Sequence, residues 1–254
     1  MCNVYNYFQM DTVKPYDAAG SKKQQVAAMF DNIAPKYDFL NRFLSVGIDT
    51  IWRKTMIREL ESIAPPKRVL DVATGTADVA LQTIKQLNNK DLKIIGLDIS
   101  AEMLNIGRQK VAQKGLTDRI ELVQGDSEKL PFENNIFDAV TVAYGVRNFE
   151  DLERGLTEIG RVLQPEGKIV VLEFSKPTGF LFGNLFQAYF KYVLPVIGRI
   201  TSNDPRAYNY LFESVQVFPA GNDFLKILEK SGFKSTRCKQ LTFGICSVYT
   251  GFKR

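Results

Sequence analysis

The middle of the chain alternates short apolar runs with stretches of helical spacing. Strand-length apolar runs lie at Arg68–Val72, Leu92–Leu97, Ile120–Gln124, Phe137–Ala143 and Ile169–Phe174. Helical spacing separates them over Ala77–Leu87, from the N-cap candidate Ser100 to about Lys114, and over Leu152–Leu163, with a turn at Gln164–Lys168. Strands that alternate with helices predict βαβ units, and therefore a parallel sheet covered on both faces.

The two ends of the chain depart from this alternation. Before the first strand, helical spacing over Gln24–Ile33, Asp38–Leu44 and a helix that Asp49 can cap predicts a helical cap over residues 22–64, interrupted at Pro35 and ended by Pro65-Pro66. The aromatic-rich stretch 177–219 predicts a helical insertion. The helix Asp223–Ser231 and a hairpin of Thr236–Gln240 and Ser247–Phe252 follow, so the last strand should run antiparallel to its neighbour.

Composition and length fit one folded domain. The chain has 254 residues, of which 45% are hydrophobic and 24% charged, which is typical of a globular protein. We expect a flexible tail over residues 1–21 and a single domain over residues 22–254. The net charge of +5 suits anionic surroundings such as nucleic acid or a lipid surface, or serves solubility alone.

Several classes of function are disfavoured. The chain has no histidine, which removes the commonest general base, the usual serine and cysteine triads and most zinc sites, so we expect no metal. Its cysteines, Cys2, Cys238 and Cys246, form neither a CxxC pair nor an even set, which favours a reducing cytoplasm. No apolar run is long enough to cross a membrane, because polar residues interrupt even the stretch 180–200.

Acidic residues stand at the ends of the first three predicted strands. Asp71 opens a turn that contains Gly75, Asp98 ends the second strand, and Asp126-Ser127 follow the third. The turn lacks the further glycines of a dinucleotide fingerprint, so the series suits a nucleoside without phosphates. Taken singly, the turn could be only a tight connection, Asp98 a helix cap and Asp126 an ordinary loop acid.

The sequence also resembles a known family. It is similar to the class I S-adenosylmethionine-dependent methyltransferases, and within them to the ubiquinone/menaquinone biosynthesis C-methyltransferase family. The resemblance runs from about Val26 to the C-terminus and rests on residues 30–38 (FDNIAPKYD), 52–54 (WRK), 71–78 (DVATGTAD), 145–148 (GVRN) and 208–219 (YNYLFESVQVFP). Two departures concern Ala73-Thr74, where the family often has Cys or Gly, and Asp126, where it often has Asn.

The resemblance implies an α/β fold, a Rossmann-like sheet of seven strands with an antiparallel last strand. It also implies S-adenosylmethionine as the cofactor, with contacts from Thr76, Asp98, Asp126 and Ser127 beside Asp71 and Gly75. The implied reaction is methylation of a ring carbon of demethylmenaquinol. The benzoquinol precursor of ubiquinone, or another small aromatic acceptor, is the alternative. A prenylated quinol substrate also suggests contact with the inner face of the cell membrane, while the oligomeric state, a homodimer included, stays open.

Four polar side chains are candidates for binding the acceptor and stabilising its charge. Carbon methylation needs an electron-rich ring, so the acceptor must be a reduced quinol held in line with the methyl group. Arg147 is always charged and would stabilise a developing phenolate or position a water. Tyr37 could hydrogen-bond a ring hydroxyl, Asn148 could do the same or only complete a turn, and Asp38 could merely cap a helix.

The aromatic stretch 180–200 could form a lid that touches the membrane, or pack on the cap.

Two other enzyme classes fit less well. An NAD-dependent oxidoreductase would also use an acid at Asp98, but the glycine turn is degraded and no catalytic His or Lys-Tyr pair is evident. A nucleic-acid methyltransferase would suit the basic charge, but the Lys and Arg residues are scattered and the aromatic-proline motif of amino-methylating enzymes is missing. We therefore expect no nucleic-acid partner.

Overall fold

A computed structural model describes residue 10 and residues 13–16, 18–45, 47–62, 64–177, 204 and 206–254. Most of the segment predicted as a lid, including the stretch 180–200, lies outside the described residues. No helix among the described residues is long and apolar enough to cross a membrane.

The described strands form one seven-stranded sheet in the order β3-β2-β1-β4-β5-β7-β6. Strands β1 to β5 run parallel to one another, whereas β7 is antiparallel to both β5 and β6. This confirms the predicted sheet and its antiparallel last strand. The strands are β1 (Arg68–Val72), β2 (Lys93–Asp98), β3 (Ile120–Gln124), β4 (Phe137–Ala143), β5 (Leu163–Phe174), β6 (Phe233–Leu241) and β7 (Cys246–Lys253).

Two described α-helices precede the first strand, and the others alternate with the strands or lie between β5 and β6. The described α-helices are α1 (Lys22–Leu44), α2 (Asp49–Arg58), α3 (Asp78–Leu87), α4 (Ala101–Gln113), α5 (Leu152–Val162), α6 (Arg206–Val217) and α7 (Asn222–Lys230). Short 3-10 turns lie at Glu59–Ser62, Val146–Asn148 and Thr242–Gly244. Helices α1 and α2 form the predicted cap, and α6 is the described part of the predicted insertion.

Apolar side chains pack on both faces of the sheet. In β5, Ile169 and Val171 join the cluster that includes α5 and α7, while Val170 and Leu172 join the cluster that includes α2, α3 and α4. Successive strand residues point to opposite faces, so a strand buried on both sides is apolar throughout. This is why the central strands carry apolar residues on both faces.

Two local predictions were wrong. The predicted break at Pro35 does not occur, because α1 runs through it. Polar contacts anchor the helix on both sides of the proline: Asp31 accepts from Ser100, and Asp38 accepts from Thr76. The predicted turn at Gln164–Lys168 lies instead within β5, as a bulge between Leu163, which pairs with Phe137, and Lys168, which pairs with Ala139.

Part of the segment before α1 contacts the folded domain. Met10 is 3% exposed and belongs to the core cluster of β1, β4 and β5. The Tyr16 hydroxyl donates a hydrogen bond to Asp204, and burial is the largest cause that raises the pKa of Tyr16 to about 12. These contacts place residues upstream of Lys22 against both the sheet and the insertion.

Candidate functional site

The turn between β1 and α3 is held in an unusual backbone conformation. Ala73, Gly75 and Ala77 all have positive φ, at 54°, 55° and 64°. The Gly75 amide donates to Oδ2 of Asp98 at 2.7 Å, and Oδ1 of Asp98 accepts from the Ser100 amide at 2.9 Å. Burial raises the pKa of Asp98, although these backbone N–H groups oppose the shift. Asp98 therefore fixes the glycine turn in addition to facing the site.

Asp71 lies beneath this turn. It is 1% exposed, and its two carboxylate oxygens accept from the hydroxyls of Thr74 and Thr141, each at 2.6 Å. Burial is the largest cause that raises its pKa from 3.8 to about 6. Asp71 thus supports the turn from within the sheet and does not line the cavities described next.

A cavity lies at the carboxyl ends of β1 to β4. Its apolar lining includes side chains of α1, β2, α4 and the loop after β4, and the rest of its lining includes six of the predicted site residues. The apolar members include Phe30, Leu97, Met103 and Phe149, and the polar members include Lys23, Tyr37, Gly75, Asp98, Asp126, Ser127 and Asn148. This mixture suits a partly apolar nucleoside with hydroxyl and amino groups.

Asp126 is tied to the cap by an ion pair. Its Oδ2 lies 2.6 Å from Nζ of Lys23, and its Oδ1 accepts from the Glu128 amide at 2.9 Å. Lys23 also contacts Glu128, which is 4% exposed, at 3.0 Å. Lys23 was not predicted from the sequence, since nothing in the run of Lys and Gln around it marks one lysine as special.

Thr76 faces a second, neighbouring cavity. Its hydroxyl donates to Asp38 at 2.5 Å and accepts from Lys110 at 3.0 Å. Lys110 and Arg53 both contact Asp78, and they lower the pKa of that carboxyl against the effect of its burial. Asp38 lies in the middle of α1, so the helix-cap interpretation of this residue was wrong.

Arg147 points into the protein rather than into the first cavity. It is 7% exposed, and its Nη1 lies 2.8 Å from Oε1 of Glu173, which is fully buried. Nη1 also donates to the Tyr144 carbonyl at 2.5 Å, and the guanidinium lies 5.7 Å from the ring centre of Phe174. Burial raises the pKa of Glu173, while Arg147 opposes the shift.

Glu173 was missed by the sequence analysis, although a signal was present. It is the one charged residue in the apolar run Ile169–Phe174. A carboxylate in a strand buried on both faces requires a partner. The adjacent strand β4 leads directly into the 3-10 turn that carries Arg147.

Buried polar atoms near this turn lack hydrogen-bond partners. Within the described part of the chain, these include Nε of Arg147, Oδ1 of Asn148 and the hydroxyl of Tyr210 on α6. Burial raises the pKa of Tyr210. Unsatisfied buried groups are rare in folded proteins, and a polar ligand would satisfy them.

The structure thus brings most of the predicted site together. Gly75, Asp98, Asp126, Ser127, Tyr37 and Asn148 line the first cavity. Thr76 lines the second cavity, Asp71 supports the turn and Arg147 lies in the buried ion pair. Their individual roles stay predictions.

Comparison with known proteins identifies the family. A model of the ubiE/COQ5 methyltransferase family matches residues 18–253. The chain belongs to that family. It is 44% identical over 248 residues to the demethylmenaquinone methyltransferase of Bacteroides fragilis, covering 98% of this chain and 100% of that relative. It is 46% identical over 232 residues to the ubiquinone/menaquinone biosynthesis C-methyltransferase UbiE of Geotalea daltonii, covering 91% and 97%.

A solved structure supports the fold of this methyltransferase. An S-adenosylmethionine-dependent methyltransferase of Thermotoga maritima, described as a possible histamine N-methyltransferase, aligns with a TM-score of 0.63 and 17% identity, covering 90% of this chain and 99% of that one. At this identity the likeness shows the fold alone. The family assignment makes the protein an S-adenosylmethionine-dependent methyltransferase.

The residues of the first cavity fit this cofactor. Asp98 and Asp126 are acceptors suited to ribose hydroxyls and to the adenine amino group, and Leu97 and Met103 supply apolar surface. A side chain at Gly75 would project toward the Tyr37 ring, 4.0 Å away, so glycine keeps this part of the cavity open.

We expect Asp71→Asn to change the pH dependence of stability. The raised pKa of Asp71 means that the folded protein binds the carboxyl proton more tightly than the unfolded chain does. The stability that this proton contributes is fully present below pH 3.8 and is lost as the pH rises through about 6. Urea unfolding between pH 4 and 7 should show the variant gaining about 3 kcal/mol relative to the wild type. Parallel pH curves for the two proteins would contradict this.

Proposed function

We propose that this methyltransferase transfers a methyl group from S-adenosylmethionine to a ring carbon of demethylmenaquinol, giving menaquinol. The observation that carries the proposal is the 44% identity over 98% of the chain to a relative named demethylmenaquinone methyltransferase. The cavity supports it, because Asp98 and Asp126, which we propose bind the cofactor, line it together with Asn148, whose buried Oδ1 lacks a hydrogen-bond partner among the described residues.

The chemistry sets what the chain must provide. The cofactor, when bound, supplies an electrophilic methyl group. A quinone ring is electron-poor, so the acceptor must be the reduced quinol, and negative charge on a ring oxygen increases the electron density at carbon. The protein has to orient the ring, stabilise that oxygen and exclude water.

Three predicted residues are suited to these tasks. Tyr37 on α1 and Asn148 in the loop after β4 both line the cavity, and we propose that they orient the ring through its oxygens. The unpaired Oδ1 of Asn148 is an acceptor for a quinol hydroxyl. Arg147 lies in the buried ion pair with Glu173 and not in the cavity lining, and we propose that its guanidinium stabilises the phenolate from there.

A second acceptor class is the benzoquinol precursor of ubiquinone. The relative from Geotalea daltonii carries a name that covers both quinones, and its identity of 46% is similar to that of the relative named for menaquinone alone.

The direct test is methyl transfer from labelled cofactor to reduced demethylmenaquinol and to its benzoquinol counterpart, with cofactor binding measured by calorimetry. We expect binding of the cofactor and its demethylated product, and faster methylation of the naphthoquinol. Faster use of the benzoquinol would favour the second acceptor. Binding without transfer to either would refute the substrate and leave the cofactor assignment intact.

We expect substitutions in the Arg147–Glu173 pair to affect stability and catalysis differently. Arg147→Met leaves a buried carboxylate unpaired and should cost about 3–5 kcal/mol of unfolding free energy. Replacing both residues, in Arg147→Met/Glu173→Met, should restore most of that stability, because two apolar side chains need no partner.

Activity should not return with stability. We expect kcat of the double variant to stay about 100-fold below the wild type, because the charge that stabilises the phenolate is missing. A stable double variant with wild-type kcat would remove Arg147 from the catalytic role.

Membrane contact is a further part of this proposal, since a prenylated quinol is a lipid. A surface groove beside α2, α3 and α4 is lined by exposed cations that form no ion pair with other described residues, namely Arg42, Lys54, Arg58, Lys85 and Lys114. On the cap helices, Phe39 of α1 and Ile51 of α2 are 63% and 60% exposed. We propose that this face contacts an anionic lipid surface at the cytoplasmic side of the membrane, and that the insertion acts as a lid for the prenyl tail.

Vesicle binding tests the basic face. We expect binding to phosphatidylglycerol vesicles to weaken more than tenfold in Arg42→Gln/Lys54→Gln/Arg58→Gln, since each cation contributes about 1 kcal/mol near an anionic surface. Arg237→Gln/Lys239→Gln/Arg254→Gln removes the same charge from the region of the edge strand β6 and should bind like the wild type. Equal weakening in both variants would mean that net charge alone drives binding, and the proposed face would be wrong.

A further inference from the structure

Lys22, at the start of α1, is buried among backbone carbonyls. It is 1% exposed, and its Nζ donates to the carbonyl oxygens of Met10 at 3.0 Å, Arg147 at 3.2 Å and Phe149 at 2.9 Å. Three hydrogen bonds equal the number of protons on an ammonium group. The bonded carbonyls come from the segment before α1 and from the loop after β4, so one side chain joins three parts of the chain.

The next residue reinforces the same junction. Lys23 contacts Asp126 and Glu128 in the loop after β3, and Oε1 of Glu128 accepts from the amides of Glu150 at 2.8 Å and Asp151 at 3.2 Å. The Lys22 amide in turn donates to Oε1 of Glu150 at 2.9 Å. The first turn of α1 is therefore bonded to two loops of the cavity.

Within the loop that Lys22 holds, the Arg147 guanidinium and the Asn148 side-chain amide both donate to the Tyr144 carbonyl, at 2.5 Å and 3.3 Å. The 3-10 turn of this loop is closed by the Asn148 amide bonding to Gly145 at 3.0 Å and the Phe149 amide bonding to Val146 at 3.3 Å. Asn148 lies between the two carbonyls that Lys22 binds, and its side chain lines the cavity. Fixing the carbonyls on both sides of a residue fixes the direction of its side chain.

We propose that Lys22 is a positioning residue that sets Asn148 for the acceptor. The proposal rests on the proposed function insofar as Asn148 orients the quinol. Lys22 itself does not line the cavity, so it acts through the loop. A misplacement of about 1 Å at a reacting group can cost about 100-fold in rate.

The chain offers a matched control in Lys168. This lysine is 3% exposed, and its Nζ donates to the Glu59 carbonyl at 2.6 Å, to the Glu59 carboxylate at 3.3 Å and to the Ser62 hydroxyl at 2.7 Å. It lies in β5 next to Ala139, early in β4, and so away from the carboxyl ends that form the cavity. Lys168→Met removes a buried ammonium with oxygen partners but leaves the loop after β4 intact.

The experiment compares Lys22→Met and Lys168→Met in the full-length protein, first by native-state hydrogen exchange. In Lys22→Met the amides of residues 145–151 should exchange at least tenfold faster than in the wild type, whereas Lys168→Met should leave them unchanged. This readout requires neither substrate nor cofactor, and unchanged exchange in Lys22→Met would overturn the proposal.

Kinetics then separates positioning from general loss of structure. Lys22→Met should lower kcat about 100-fold with KM for the cofactor within about threefold, and Lys168→Met should change neither. Added to Asn148→Ala, Lys22→Met should cost little more, because both act through one side chain. Additive losses would overturn the proposal. If loop exchange is faster in Lys22→Met but Asn148→Ala alone leaves kcat unchanged, the catalytic role of Asn148 would be refuted instead.

Discussion

The carboxyl edge of the sheet, where the first cavity lies, depends on polar contacts from one helix. Along α1, Lys22 binds the loop after β4, Lys23 the loop after β3, Asp31 the start of α4 after β2, and Asp38 the turn after β1. The sixteen positions from Lys22 to Asp38 span about 24 Å of helix, whereas four adjacent strands span about 15 Å. A single helix can therefore reach every loop of the edge, and it contributes at least one charged residue to each.

The apolar side of the same helix has a different partner. Val26 and Met29 pack with Ala207 and Tyr210 of α6. Helix α1 is thus joined to the sheet edge by hydrogen bonds and ion pairs, and to the insertion by apolar contact. This division explains why a hydrophobic pattern in the sequence revealed the helix but not the way it is attached.

The sequence predicted best what strand topology enforces. Asp98 ends β2 and Asp126 follows β3, and the carboxyl ends of parallel strands must meet at one edge, so both acids line the cavity. Asp71 is the penultimate residue of β1, so its side chain points to a face of the sheet and is enclosed by Thr74 and Thr141. Periodicity alone did not distinguish these two situations.

Contacts between distant segments could not be read from local patterns. Arg147 and Glu173 are separated by 26 positions and meet only because β4 and β5 are neighbours. Pro35 was expected to end a helix, yet side-chain contacts at Asp31 and Asp38 hold the helix together across it. In both cases tertiary partners determined the outcome, and those partners are specified by the order of strands in the sheet.

The acids of the edge have structural partners as well as a place in the cavity. Asp98 accepts from the amides of Gly75 and Ser100, and Asp126 accepts from Lys23 and the Glu128 amide. A carboxylate has about four acceptor positions, so these bonds leave room for hydroxyl or amino groups of a ligand. The protein donors orient each carboxylate before a ligand arrives, which lowers the ordering cost of binding. The edge is therefore preorganised by the same groups that make it polar.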